Sequence, residues 1–181
     1  MQRFLAAVAV VALSAAALAA EGTGEAVEAI RKGDYAKALK ILVPLAQKGD
    51  AQAQYNLGQM YFSGWGVAKD WNKAEAWLRR SSDQGHEWAR VLLAFTVDGL
   101  GKHEEAVRLY QWAAQKGVAG AQTRLAMMYR RGLGVERDLR EAFRLFHLAA
   151  KQGDAAAQAE LAQAYAMGAG LPKDLSKAAT L

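Results

Sequence analysis

The sequence contains no cysteine, and among its 181 residues there are only two prolines and three histidines. Without cysteine there can be no disulfide or thiolate metal site, so packing alone must hold the fold. The scarcity of proline and the wealth of Ala, Leu, Gln, Lys and Arg favour helices throughout. Basic residues are spread along the chain rather than clustered, so the net charge of +5 indicates no nucleic-acid surface.

The first twenty residues follow the order of a secretory signal. Met1-Gln2-Arg3 is a short basic start, residues 4–18 are apolar except for Ser14, and Ala17-Leu18-Ala19 offers the small residues of a cleavage site. A membrane anchor is the alternative, because the apolar run over residues 4–20 is at the lower limit for spanning a bilayer. We expect residues 1–20 to be a signal peptide whose removal leaves no stable membrane anchor, and the protein to be periplasmic or secreted.

One spacing recurs four times in the remaining chain. Four alanines each precede a glycine by eleven residues, and those glycines are 36, 32 and 36 residues apart: Ala38 and Gly49, Ala74 and Gly85, Ala106 and Gly117, Ala142 and Gly153. A fixed period in this range is typical of a stacked helical array. We therefore predict an all-α solenoid over residues 24–181, made of about four to five helix pairs. The predicted units are 24–49, 50–85, 86–117, 118–153 and a truncated 154–181.

The first helix carries a packing stripe that recurs in three of the predicted units. It reads Ala53, Leu57, Tyr61; then Ala121, Leu125, Tyr129; then Ala157, Leu161, Tyr165. Asp50 and Asp154 stand where their side chains can cap such helices. A small residue beside each leucine, Gly58 in the first copy, lets a neighbouring helix approach closely. A Gly-x-Gly loop follows, but in the second repeat the loop is shortened to Gly99-Leu100-Gly101, which predicts a tight turn there.

These residues resemble the Sel1-like repeat family. The resemblance is carried by Ala53-Gln54, Leu57-Gly58, Tyr61, Gly64-Trp65-Gly66-Val67, Asp70, Ala74 and Trp77, and it returns from Ala121-Gln122 to Gly153. It covers roughly residues 33–181. It implies helix–turn–helix units, related to tetratricopeptide repeats, in a right-handed superhelix. It also implies an adaptor that holds other proteins, often in the bacterial envelope or in secretion and signalling.

Nothing in the sequence forms a catalytic or metal-binding constellation. His86, His103 and His147 lie in three different repeats, without a serine nucleophile, an orienting carboxylate or a second histidine at a recognisable spacing. The Gly-x-Gly loops lack the preceding strand and the third glycine of a dinucleotide site. We therefore expect no enzyme activity, no cofactor and no metal.

Comparing the repeats with one another separates scaffold positions from variable ones. In tetratricopeptide-like superhelices the first helices line the concave side, so their variable residues are predicted to form a groove for a partner. We predict an apolar centre, a basic rim and three flanking residues: Trp88, Leu92, Phe95 and Met127; Arg124, Arg130 and Arg131; Tyr55, Asn56 and Gln59. Such a groove suits an extended or helical segment with apolar anchors and negative charge.

Two alternatives stay open within this prediction. Some of the variable residues could pack between neighbouring repeats instead of facing a partner. Trp88, where the other copies have Gln52, Gly120 and Ala156, is either an exposed anchor or fills a gap in the irregular second repeat.

We predict an exported, non-catalytic protein–protein interaction module whose partner is another envelope or secreted protein. Two other function classes remain as alternatives. One is an envelope enzyme or enzyme accessory acting on cell wall or a small molecule. The other is a structural subunit that self-associates through its C-terminal end.

Overall fold

The computed structural model describes residues 22–168 and Asp174. Within those residues the chain forms nine helices and no strand. Helix α1 covers residues 22–31. The others are α2 (Tyr35–Gln47), α3 (Ala51–Ser63), α4 (Trp71–Asp83), α5 (Glu87–Gly99), α6 (His103–Gln115), α7 (Ala119–Arg131), α8 (Leu139–Lys151) and α9 (Ala155–Met167). The all-α prediction is confirmed. The predicted signal peptide and the predicted self-association surface at the C-terminal end lie outside the described residues.

The helices belong to two compact units. Among the described residues, unit 1 extends to residue 96 and contains α1 to α4 and most of α5, and unit 2 begins at residue 97 and contains the end of α5 and α6 to α9. Unit 1 buries a cluster of small and aliphatic side chains that includes Leu42, Leu57 and Met60. In unit 2 the aromatic rings of Tyr110 and Phe146 are fully buried. Each unit therefore has an apolar core of its own.

The helix starts use the aspartates that the sequence singles out. Asp50 accepts a hydrogen bond from the Ala53 amide at 2.7 Å, and Asp154 accepts one from the Ala157 amide at 2.9 Å. Each bond satisfies an amide that has no partner within its own helix, which is worth about 1 kcal/mol. The two predicted caps are confirmed.

Two buried glutamines, one in each unit, occupy equivalent places. Gln54 donates to the Ala46 carbonyl at 3.1 Å and accepts from Gln84 at 2.7 Å. Gln122, which lies 68 residues further along the chain, donates to the Ala114 carbonyl at 3.2 Å and accepts from Gln152 at 2.9 Å. The helices α2 to α4 and α6 to α8 are thus built alike, residue for residue.

The Gly-x-Gly loop of unit 2 lies directly against the start of α6. Gly134 has a φ of 67°, and a Cβ added there would lie 2.6 Å from the backbone nitrogen of Glu104. Gly66 lies against Tyr35, the first residue of α2, in unit 1, where an added Cβ would clash with the Cβ of Tyr35. Both positions need glycine for the positive φ, and at Gly134 an added side chain would also meet backbone. Only residues 100–102 separate α5 from α6, so the predicted tight turn is also confirmed.

Candidate partner-binding surface

An apolar ridge runs along α5 in unit 1. Trp88, Leu92 and Phe95 follow one another at spacings of four and three residues, so they share one face of the helix. Trp88 is 62% exposed, while Leu92 and Phe95 are half-buried. A tryptophan this exposed does not fill a gap between helices. Of the two interpretations that the sequence leaves open for Trp88, the structure favours the exposed anchor.

His86 fixes the start of this ridge to α3, a role that the sequence analysis missed. Its Nδ1 accepts a hydrogen bond from the Ala89 amide at 3.1 Å, which caps α5, and its Nε2 lies 3.1 Å from Oε1 of Gln52. The Tyr55 ring stacks on the imidazole with 4.7 Å between the ring centroids. The signal was present, because His86 follows its glycine at the place where Asp50 follows Gly49.

Burial lowers the pKa of the His86 imidazole. The neutral ring suits both hydrogen bonds, because Nδ1 must accept from the Ala89 amide while the Nε2 hydrogen points to the Gln52 oxygen. Burial also raises the pKa of the Tyr55 hydroxyl. The stacked pair is therefore uncharged at neutral pH, and it joins α3 to the ridge by packing and hydrogen bonds.

Among the α3 residues predicted to face a partner, Asn56 is buried, so the prediction for it was wrong. Its side chain is buried, with 3% exposure, and its Oδ1 accepts a hydrogen bond from Nε2 of Gln52 at 3.1 Å. Gln52 lies one helical turn earlier and is exposed, so Gln52 rather than Asn56 presents an amide to solvent. Tyr55 and Gln59 are half-buried and remain candidates for contact with a partner.

Four of the predicted residues lie on α7, in unit 2. Arg124 and Arg131 are exposed, and Met127 is half-buried. Arg130 requires a second correction, because its guanidinium binds both carboxylate oxygens of Glu160 on α9, one of them at 3.1 Å. That ion pair neutralises the charge that the basic rim was expected to use. The prediction that residues of both units line one groove stays a prediction.

The three histidines have separate structural surroundings. His86 forms the cap of α5 described above. His147 Nε2 lies 3.3 Å from the Tyr165 hydroxyl. His103 Nδ1 lies 3.2 Å from Asp98, whose other oxygen accepts from the buried Tyr110 hydroxyl at 3.4 Å. The sequence-based statement that no carboxylate orients a histidine was therefore wrong for His103, since the tight turn brings residues 98 and 103 together. This cluster ties the end of α5 to α6.

Within residues 22–168, no cluster of three or more His, Cys, Asp or Glu side chains is placed to bind a metal ion. Among the helices in that same range, none combines the length and the apolar character that crossing a membrane requires.

Comparison with known proteins identifies the repeats. The Sel1 repeat profile matches residues 51–86, 98–118, 119–154 and 155–181. A Sel1 repeat protein from Oxalobacter formigenes, known from its crystal structure, is 33% identical, with a TM-score of 0.68 over 81% of this chain and 62% of that one. The protective antigen c5321 of uropathogenic Escherichia coli strains is 36% identical, with a TM-score of 0.66 over 78% of this chain and 33% of that one.

A third relative is a component of a larger assembly. HRD3B of Arabidopsis thaliana, an ERAD-associated E3 ubiquitin-protein ligase component, is 31% identical over 122 residues, which are 66% of this chain and 20% of HRD3B. The present chain spans less than two thirds of the length of each of these three proteins.

Proteins built of Sel1 repeats generally mediate protein–protein interactions, and their fold is typically a non-catalytic adaptor. In this chain the matched repeats cover more than half of the residues and follow the period that its glycines set. The chain therefore belongs to the Sel1 repeat family.

Proposed function

We propose that this protein is an exported adaptor that binds a segment of another envelope or secreted protein, with the α5 ridge as its main contact. The observation that carries the proposal is the 62% exposure of Trp88, at a position where the other repeats have glutamine, glycine or alanine. Exposed tryptophans beside apolar neighbours are typical of the residues that dominate binding energy in protein interfaces.

The area of the indole gives the scale of this contribution. An aromatic side chain buries about 150–250 Å² when fully covered, and apolar burial contributes about 25 cal/mol per Å². Covering the 62% of Trp88 that is exposed would then contribute on the order of 2–4 kcal/mol. The half-buried side chains of Leu92 and Phe95 extend the same surface along α5. One side chain can therefore decide whether a partner is held.

Each unit presents a surface that favours a particular chemistry in the partner. The α5 ridge in unit 1 favours a segment with apolar side chains. In unit 2, the exposed Arg124 and Arg131 on α7 favour a partner that carries negative charge, as does the net charge, which is +5 for residues 1–181 and +4 once Arg3 is removed. Charge of this kind mainly speeds association and selects among partners.

The binding proposal is tested by affinity capture from an envelope extract with the wild-type protein and Trp88→Ala. Met167→Ala is the matched control, because Met167 is 68% exposed but lies on α9. We expect Trp88→Ala to bind its specific partners about thirtyfold or more weakly, which corresponds to about 2 kcal/mol, while both variants melt like the wild type. Equal recovery of the same partners by Trp88→Ala would remove the α5 ridge from the proposal.

Export has its own test. The basic start and apolar run of residues 1–20 support it. Expression with the full N-terminus, followed by fractionation and N-terminal sequencing, should give a protein outside the cytoplasm that begins at Ala20 or Glu21. A protein that keeps Met1 and stays in the membrane fraction would favour the anchor instead.

A further inference from the structure

Helix α5 begins with a different kind of cap from α3 and α9. Asp50 caps α3 and Asp154 caps α9, each with a carboxylate oxygen. His86 caps α5 with its Nδ1, which accepts a hydrogen bond from the Ala89 amide at 3.1 Å. A carboxylate keeps its lone pairs down to a pH of about 4, whereas a histidine ring loses its acceptor nitrogen on protonation, ordinarily near a pH of about 6.5. Of these three caps, the cap of α5 is therefore the one that mild acid can remove.

Protonation of His86 would set two hydrogen-bond donors against each other. The new hydrogen on Nδ1 would point at the N–H of Ala89, and Ala89 is fully buried, so water cannot easily replace the lost acceptor. The charge would also lie at the N-terminus of α5, where the helix dipole disfavours a cation. Only the contact of Nε2 with Oε1 of Gln52 would be kept, because Nε2 is a donor in both states. The protonated ring and the cap of α5 therefore exclude each other.

The surroundings of His86 do little to stabilise its charged form. Helix α3 contains no charged residue, and it presents the Tyr55 ring to the imidazole, with 4.7 Å between the ring centroids. The charged residues nearest along the chain are Asp83 at the end of α4 and Glu87 and Arg90 of α5. Burial, and none of these three charges, lowers the pKa of the imidazole. The folded protein therefore keeps the ring neutral to a lower pH than the unfolded chain does.

The cap holds the part of α5 that carries Trp88. This residue lies in the first turn of the helix, between His86 and the Ala89 amide that His86 binds. Because the indole is 62% exposed, its position depends mainly on the backbone of that turn. Leu92 and Phe95 lie further along α5 and are half-buried, so they can stay in place when the first turn opens. A contact residue that must be ordered again on binding contributes less to affinity.

We propose that protonation of His86 opens the first turn of α5 and so weakens partner binding by Trp88. The effect on binding rests on the proposed function, whereas the opening of the turn is a property of the protein without a partner. Because one proton is involved, the affinity should be constant at neutral pH and should fall by at most about tenfold for each pH unit in mild acid. The α5 ridge would thus hold its partner at neutral pH and release it when the surroundings become acidic.

NMR of the 15N-labelled protein tests the opening of the turn without any partner. Between a pH of about 8 and a pH of about 5, we expect the Ala89 amide and the Trp88 indole signals to shift with the same midpoint as the His86 imidazole nitrogens. The Ala53 amide is the internal control, because the carboxylate of Asp50 caps it. Its signal should stay nearly constant over the same range, since an aspartate stays ionised there.

Two variants of His86 separate titration from capping. His86→Asn can cap α5 but cannot be protonated, so its Trp88 and Ala89 signals should not titrate. His86→Ala has no side-chain cap at any pH, so its Trp88 signal at neutral pH should already lie near the acid position of the wild type. Both variants keep His103 and His147, so a titration at Trp88 that persists in them does not come from residue 86. Thermal melting at neutral pH shows whether each variant is folded.

Affinity capture from an envelope extract tests the effect on binding. At a pH of about 5 the wild type should retain about threefold less of its Trp88-dependent partners than at a pH of about 7.5, whereas His86→Asn should retain similar amounts at both.

The outcomes separate this inference from the proposed function. Equal capture by wild type and Trp88→Ala at neutral pH contradicts the α5 ridge as a contact, and the NMR titration then still decides whether the turn opens. The inference is overturned if the Trp88 and Ala89 signals do not follow the midpoint of His86, if they titrate equally in His86→Asn, or if wild type and His86→Asn lose their partners alike in acid.

Discussion

Gly134 provides the sharpest test of how closely the loop of unit 2 approaches α6. Gly134→Ala imposes two costs. Its φ of 67° places an alanine in the left-handed region, and the new Cβ would lie 2.6 Å from the backbone nitrogen of Glu104. Gly153→Ala is the matched control, because its φ of 85° is also left-handed while nothing lies within 4 Å of an added Cβ.

The two variants separate backbone strain from crowding. Left-handed strain alone costs about 1–2 kcal/mol, which is the loss expected for Gly153→Ala. Crowding adds about 1–3 kcal/mol for Gly134→Ala, since the neighbouring atoms are backbone at a helix start and cannot rotate away as a side chain would. We therefore expect Gly134→Ala to lower the free energy of unfolding by about 2–5 kcal/mol in total.

Urea unfolding followed by circular dichroism measures both losses. The slope of the free energy against urea should be the same for wild type and variants, so that midpoints can be compared directly. If Gly134→Ala loses no more stability than Gly153→Ala, the close contact between the loop and α6 is refuted.

The remaining predictions concern two polar pairs. Burial lowers the pKa of His86, so below a pH of about 6.5 the unfolded chain binds more protons than the folded one, and stability falls as the pH falls from there. His86→Asn can still cap α5 but cannot titrate. The melting temperatures of this variant at pH about 5 and about 7.5 should therefore differ less than those of the wild type. An unchanged difference would contradict the assignment of the acid-induced loss to His86. For the half-buried pair of Arg130 and Glu160, a double-mutant cycle with Arg130→Met and Glu160→Gln should give a coupling of about 1 kcal/mol in unfolding free energy. Fully additive single losses would show that the pair contributes nothing.

The sequence determined the fold class, the period and most of the scaffold. Repeated residues make this possible, because each copy shows which positions the packing holds constant. Asp50 and Asp154 cap their helices as predicted, and Gly58 admits Leu78 so closely that a Cβ would lie 2.7 Å from its Cγ. The caps depend only on neighbours in one helix, and the small residue beside the leucine recurs in each copy, so both could be derived from the sequence.

The exposure of single residues depended on the tertiary structure. Asn56 and Leu92 occupy the same place in their repeats, yet Asn56 is buried beside Gln52 while Leu92 is half-buried. In the sequence Arg130 resembles an unpaired cation, but in the structure Glu160 of α9 binds its guanidinium. Burial and ion pairing are decided by which side chain of another helix arrives nearby, and one repeat pattern is compatible with several such outcomes.

The sequence by itself therefore determined that this chain is a helical repeat array with variable first-helix positions, because the periodicity of apolar and small residues is a local property. Only the tertiary structure decided that Trp88 is exposed, that His86 fixes α5 to α3, and that Glu160 pairs with Arg130. The physical reason is that each of these depends on the volume and the hydrogen bonds that neighbouring helices supply.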